Sequence, residues 1–371
     1  MNILFLLEKF PANGGVETVS KILAKEFSIR GHKVFVECPK KSDLQNDETV
    51  EWLRNILLNN EIDILINQQF QLPEYSEFCS KAKKGTKTKI IGCHHYSLLM
   101  NPYAKYGFLA KILPTFLIYK LKKYRELKKR NFAFKYSDAV VFLSQKFLEQ
   151  YKKLEPGKNL NKLYIITNPL EIFNKESLDF EEKNKTIIFV ARMIEEEKRP
   201  SLVLKVWELL HKKNPEWNLI FLGDGIDLSF VKEKAKNLPR VEFLGFQNPE
   251  PYYKKASILL QTSARDFEGF GMTLIEAQKY ACVPIAMDSY ISLSDIIEDG
   301  KNGFITPNSN VKAMAEKIQM LMDNESLRKE IALNGIQSVQ KFDVKVIANE
   351  WEKLFCELCE QRLTPNHLLI A

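Results

Sequence analysis

The sequence predicts an α/β protein built from two consecutive halves, each a parallel sheet covered by helices on both faces. Three observations carry this. Short apolar runs of strand type alternate with amphipathic helical runs from Asn2 to Pro169, the pattern of a parallel sheet with crossover helices. The alternation breaks into a polar, charge-rich connection from Lys175 to Asn184, and it resumes at Lys185. A chain of 371 residues is also long enough for two ordinary domains.

In the first half, Asn2–Leu7 is predicted as strand, Val16–Arg30 as helix and Lys33–Cys38 as strand. Helix follows over Val50–Asn60, then strands over Ile62–Gln68 and Lys87–Cys93, a further strand over Ser137–Ser144, and an apolar run over Leu163–Pro169. In the second half the strands are Lys185–Ala191, Trp217–Leu222, Val241–Leu244, Ile258–Gln261, Val283–Met287 and Gly303–Ile305. The helices between them are Ser201–His211, Leu228–Lys236, Pro249–Ala256 and Met272–Tyr280, with a short segment at Asp295–Glu298 and helices from Val311 onward. The domains are drawn at 1–170 and 171–349.

Composition narrows the function. Hydrophobic content of 45% and charged content of 27% are those of a globular protein. No apolar run approaches the roughly 20 residues that span a bilayer, and Met1–Leu7 reads as a first strand because it lacks the basic flank of a signal peptide. A cytoplasmic location is expected. Six cysteines are scattered, and Cys356-x-x-Cys359 has no second pair to complete a zinc site, so it is read as packing. The net charge of +7 is concentrated between Lys105 and Lys135, where Lys120, Lys122, Lys123, Arg125, Lys128, Lys129 and Arg130 follow apolar residues. That segment reads either as a solvated helix face or as an attachment to an anionic membrane surface. Nucleic acid is not expected, since no binding module is present.

The chemistry centres on Ser263–Ala277, a strand-loop-helix stretch with Glu268, a Gly269-Phe270-Gly271 break and Glu276. The glycines permit close backbone approach to a ligand. The amides opening the following helix, with Met272 and Thr273 at its start, favour an anion. The plainer alternative is a simple turn with Glu276 in solvent. Gly14 and Gly15 follow the first strand and permit a similar approach, or form only a tight turn; they are not a dinucleotide fingerprint. His94 and His95 lie where a strand ends. Arg192 ends the second half's first strand and Lys198 follows six residues on, with Arg199 beside it. Solvated surface cations are the alternative there. Glu195–Glu197 is read as solvated surface, and no Asp-x-Asp metal motif is present. Phe221–Gly225 and Val241–Phe246 are strand-then-glycine loops.

Together these motifs resemble the retaining glycosyltransferases of family 4, which have the GT-B fold: two Rossmann-like parallel-sheet domains facing a central cleft. The resemblance implies a last helix, about 350–371, crossing back onto the first, acceptor-side domain. It implies that Arg192 and Lys198 hold the donor's pyrophosphate and that Gly14 and Gly15 border the donor. Gly245 and Phe246 would lie by the base, and Glu276 on the ribose hydroxyls. Glu268 and a histidine, His94 by spacing or else His95, would lie near the transferred sugar. The amides of Phe270, Gly271, Met272 and Thr273 would hold phosphate and sugar oxygens. Two departures are Ala191 and Ala281, where the family has glycines.

The implied activity is retaining transfer from a UDP- or GDP-linked sugar to a glycan or lipid-linked glycan, without a metal or further cofactor. Bacterial surface polysaccharide or lipopolysaccharide assembly, with peripheral attachment to the inner membrane, is the implied setting. Rival readings are a nucleotide-sugar epimerase on the same fold and a non-catalytic nucleotide-sugar-binding protein.

Overall fold

A computed structural model describes residues 1–11, 14–95, 133–154, 161–172, 183–265 and 267–360, with positions 124, 127, 128 and 131 between them. The chain divides into one unit of Met1–Glu171 completed by residues from Phe342 onward, and a second of Ile172–Lys341.

The first unit contains β1 (Asn2–Leu6), β2 (Lys33–Glu37), β3 (Ile64–Asn67), β4 (Lys89–His94), β5 (Ala139–Phe142) and β6 (Leu163–Ile165), in sheet order β2-β1-β3-β4-β5-β6. The second contains β7 (Asn184–Val190), β8 (Asn218–Leu222), β9 (Val241–Phe243), β10 (Ala256–Gln261), β11 (Val283–Met287) and β12 (Phe304–Thr306), in order β12-β11-β10-β7-β8-β9. Every described pairing is parallel. Parallel strands are covered on both faces, which is why β3 and β5 are apolar almost throughout and buried at every position.

The order in each sheet locates its ligand end. From β7 the chain moves outward through β8 and β9, whereas from β10 it moves the other way through β11 and β12. β7 and β10 are therefore neighbours at a topological switch point, where the connections at the strands' carboxyl ends diverge and leave a crevice. In the first sheet the corresponding neighbours are β1 and β3.

Beyond β6 the chain is tied to its own return: Leu170 N donates to Phe342 O at 2.7 Å and Val344 N to Leu170 O at 2.9 Å. The return begins at Phe342, ahead of the expected 350, and the last helix runs Val344–Glu360. It packs on helix Gly15–Ile29 through Phe27 and Phe355, whose rings lie edge to face at 5.4 Å. Arg30 joins the two helices, donating to Glu26 at 2.8 Å, Glu352 at 2.8 Å, Asn349 at 2.6 Å and Lys345 O at 2.7 Å.

Among the described residues, two ten-residue helices go beyond the sequence expectation. Pro73–Ala82 buries Tyr75, Phe78, Cys79 and Ala82 on one face, and Gln145–Leu154 buries Phe147, Leu148 and Tyr151. None of the six cysteines is in a disulfide, and Cys356 is exposed instead of packed. The basic segment 105–135 lies, apart from scattered positions at its end, outside the described residues, as does most of the 175–184 connection. No described helix is long and apolar enough to cross a membrane.

Candidate active site

At the β7/β10 switch point the loops after the two strands are knotted together. Arg199 stands in the left-handed region (φ 50°, ψ 52°) between short helix Glu195–Lys198 and helix Pro200–Leu210. Its guanidinium donates to Thr262 O at 2.6 Å, Ser263 O at 2.5 Å, Asn308 Oδ1 at 2.7 Å and Ser309 Oγ at 2.8 Å. In return Thr262 Oγ1 lies 2.8 Å from Lys198 O and 3.1 Å from Arg199 O, and Ala264 N donates to Glu197 O at 2.7 Å. Arg199 is thus committed to the scaffold, which leaves Lys198 as the cation of this pair available to a ligand. Arg199→Met removes several charge-assisted bonds and leaves buried carbonyls unpaired, at a cost on the order of 3 kcal/mol. Chemical denaturation checks this, and a loss below about 1 kcal/mol would contradict the scaffold role.

The knot brings Lys198 to the glycine loop. Its Nζ forms an ion pair with Glu268 Oε1, with side chains only 13% and 17% exposed, and Ser263 Oγ donates to the same oxygen at 2.6 Å. Arg192 is 66% exposed and pairs with Glu197 at 2.6 Å, one residue before Lys198. The carboxylate run 195–197 is not simply solvated surface. Glu195 accepts from Ser201 N at 3.1 Å and Ser201 Oγ at 2.8 Å, anchoring the start of the next helix, and Glu197 holds Arg192. Only Glu196 of the three is exposed.

The glycine loop is supported from beneath. Ser292 Oγ donates to Gly269 O at 2.6 Å, Phe270 is buried, and Tyr290 donates to Gln261 Oε1 at 2.9 Å. Gly271 has φ 98°, and a Cβ there would run into the Tyr290 hydroxyl. That conformation and that contact both require glycine. Gly271 is the N-cap of helix Met272–Lys279, so no cap side chain occupies the first amides, those of Met272 and Thr273 included.

One turn into this helix, Glu276 accepts from the Tyr253 hydroxyl at 3.0 Å. Burial raises its pKa above the usual carboxylate value, against the opposing pull of Tyr253 and Lys279. The helix ends in a Schellman motif: Ala281 N donates to Gln278 O at 3.1 Å and Cys282 N to Ala277 O at 2.9 Å, with Ala281 at φ 56°. Ala281 therefore fills a left-handed position that glycine suits better, with a strain of about 1–2 kcal/mol. Its buried methyl offsets about 0.8 kcal/mol of that.

The remaining loops lie alongside. Gly223 N donates to Gly245 O at 2.7 Å, Gly245 has φ 67°, and Phe246 is 62% exposed. The Arg192 loop packs on Gly225, where a Cβ would come within 2.5 Å of Met193 O.

Gly14, Gly15 and the histidines belong to the first unit. Gly14 is the N-cap of helix Gly15–Ile29, following β1. His94 ends β4 with its ring among those of Phe142 at 5.3 Å, Phe70 at 6.0 Å and Phe147 at 6.5 Å. His95 is hydrogen-bonded to Gln68 Oε1, and burial pushes its pKa down to about 4, so it is neutral at physiological pH. Tyr253, Tyr290, Ser263 and Glu197 are site contacts that the motifs did not disclose. Among the described residues no cluster of three metal-ligating side chains is present.

Residues 171–338 match the glycosyl transferases group 1 family. The chain is 26% identical over 310 residues to a Campylobacter jejuni protein, covering 82% of this chain and 78% of that one. That protein is named GalNAc-alpha-(1->4)-GalNAc-alpha-(1->3)-diNAcBac-PP-undecaprenol alpha-1,4-N-acetyl-D-galactosaminyltransferase. This chain is also 23% identical over 379 residues to the amylovoran biosynthesis glycosyltransferase AmsD of Erwinia amylovora, covering 95% of this chain and 99% of that one. Among solved structures, Anabaena Alr3699/HepE in complex with UDP superposes with a TM-score of 0.73 at 18% identity, over 96% of this chain and 100% of that one. This last likeness is one of fold, and the fold is GT-B.

Proposed function

We propose that this chain, whose residues 171–338 match the glycosyl transferases group 1, is a glycosyltransferase that moves a sugar with retention from a nucleotide-sugar donor to a glycan or lipid-linked glycan. The observation that carries the reading is the Lys198–Glu268 pair beside a helix opened by Gly271, at the sheet's switch point. A nucleoside diphosphate is dianionic or more, and such a site offers it a cation and uncapped amides together.

When the bond from the sugar's anomeric carbon to the β-phosphate breaks, its electron pair stays on the phosphate oxygen. Lys198, with the amides of Met272 and Thr273, stabilises that charge without reorganisation. The acceptor hydroxyl attacks from the face the phosphate leaves, and its proton passes to the departing phosphate oxygen. Glu268 has its charge engaged by Lys198 and Ser263, which favours this route over a covalent glycosyl-enzyme. Glu276 accepts hydrogen bonds from the ribose hydroxyls, Phe246 and Gly245 border the base, and Arg192, exposed and paired with Glu197, is a second cation on the diphosphate. As the resemblance implies, Gly14 and Gly15 border the donor, and one histidine, His94 or else His95, lies near the transferred sugar. No metal is needed for the charge balance.

Relatives named for lipid-linked glycan and amylovoran synthesis support a role in bacterial surface polysaccharide assembly; contact of the basic segment 105–135 with anionic lipid is proposed from its charge alone. The test is a panel of UDP- and GDP-sugars with undecaprenyl-diphosphate-linked glycans, with the anomeric proton of the product read by NMR. An α-linked product from an α-linked donor, unchanged by EDTA, is the expected result. A β-linked product would contradict retention, and donor breakdown without acceptor would indicate the epimerase chemistry.

A further inference from the structure

We propose that Lys183 is a positioning residue for the donor site: it clamps together the two helices that carry Tyr253 and Glu276, and so fixes where the Glu276 carboxylate stands. This rests on the donor-site reading above.

Lys183 immediately precedes β7. Its Nζ donates to Tyr253 O at 2.8 Å, Ala256 O at 2.9 Å and Tyr280 O at 2.5 Å. An ammonium has three protons to donate, and these three carbonyls take them all. They come from two places. Tyr253 lies on helix Glu250–Lys255 and Ala256 is its C-cap, while Tyr280 is the C-cap of helix Met272–Lys279. Carbonyls in a helix's last turn have no partner within the helix, and they carry the negative end of its dipole. One cation at the meeting of two such ends satisfies both.

The clamp leads directly to the site. The residue whose carbonyl Lys183 holds, Tyr253, is the one whose hydroxyl holds Glu276 at 3.0 Å. The rings of Tyr253 and Tyr280 are also stacked, with centroids 6.3 Å apart and planes 9° from parallel. Lys183 is therefore linked to Glu276 from both sides, through Tyr253 and through the far end of Glu276's own helix. A neutral residue of similar length could fill the same volume, but it could not draw in three carbonyls. Burial pushes the lysine's pKa down to about 8, so the cation is retained at neutral pH against a desolvation cost. The partners that hold it are all main-chain oxygens of the two helix ends.

The experiment compares the full chain with Lys183→Met, Lys183→Gln, Tyr253→Phe and the double variant Lys183→Met/Tyr253→Phe. UDP affinity is measured by calorimetry well below each melting temperature, and amide hydrogen exchange over 250–256 and 272–282 without ligand. The expected result is about a tenfold weaker UDP affinity for Lys183→Met and for Tyr253→Phe, and a double variant no weaker than the worse single one. Faster exchange at both helix ends is expected alongside, with Lys183→Gln intermediate because it keeps two of the three donors. A lowered melting temperature with wild-type UDP affinity, or additive losses in the double variant, would overturn the proposal. If the wild-type chain binds GDP in place of UDP, the same comparison is made with GDP; failure to bind either would count against the donor reading. In that case unchanged exchange in the Lys183 variants would overturn the clamp, and faster exchange would uphold it.

Discussion

Turnover of the Lys198→Ala protein is expected to fall by about a hundred- to a thousandfold with the fold retained, the usual effect of removing one preorganised charge from a transition state. The size follows from placement. Lys198 is mostly buried, so water screens it little, and its Nζ stands against Glu268 at the edge of the glycine loop. Arg192 carries the same formal charge but is 66% exposed. Screening and side-chain mobility reduce the effect of Arg192→Ala to about tenfold. Lys198→Ala also leaves the Glu268 carboxylate, among the described residues, with Ser263 as its remaining hydrogen-bond partner, at a stability cost on the order of 1–3 kcal/mol. Lys198→Met/Glu268→Gln removes both charges and keeps the volume, so it separates the two effects. Recovery of stability without recovery of kcat is expected from that double variant. Near-normal turnover in Lys198→Ala would remove the phosphate role.

Glu276→Gln is expected to weaken donor affinity by about tenfold or more, since a hydrogen bond to a charged group contributes roughly 1.5–3 kcal/mol. Its melting temperature at pH 7 should stay level or rise. Burial raises the folded-state pKa of Glu276, so the folded protein holds this proton more tightly than the unfolded chain does. The ionised group therefore costs stability above the unfolded pKa, and that cost is relieved as pH falls through the raised folded value. Donor binding moves in the opposite sense: it needs the carboxylate, so affinity declines as pH drops through the same window. Calorimetric titration of wild type and Glu276→Gln across that range checks both. Equal affinity in the two proteins, or a pH dependence unchanged by the substitution, would dismiss the ribose contact.

Much of this site is legible in sequence because its parts are backbone devices. Gly271 must be glycine for φ and for space, and glycines flanked by strand and helix patterns are visible without coordinates. The Ala281 departure is likewise intelligible: a Schellman cap asks for a left-handed residue, and alanine tolerates the position. What stayed hidden depends on contacts distant in sequence. Spacing favours Lys198 over the adjacent Arg199 for the site, but the scaffold role of Arg199 rests on the carbonyls of Thr262 and Ser263, over sixty residues away. Glu195 looks like part of a solvated run until Ser201 folds back onto it. Tyr253 carries no local signal, because its partner lies 23 residues away. His94 and His95 differ by one position along a strand end, which sends one ring among aromatics and the other to Gln68. Helix Pro73–Ala82 did carry a signal, Pro73 at its first position and apolar residues three and four apart, but its polar average conceals it.

The most direct test is a crystal structure of the chain with bound UDP. The diphosphate is expected within hydrogen-bond distance of Lys198 Nζ and of the amides of Met272 and Thr273, with the ribose hydroxyls on Glu276. A diphosphate bound out of reach of Lys198 Nζ and of these amides would overturn the phosphate role of Lys198.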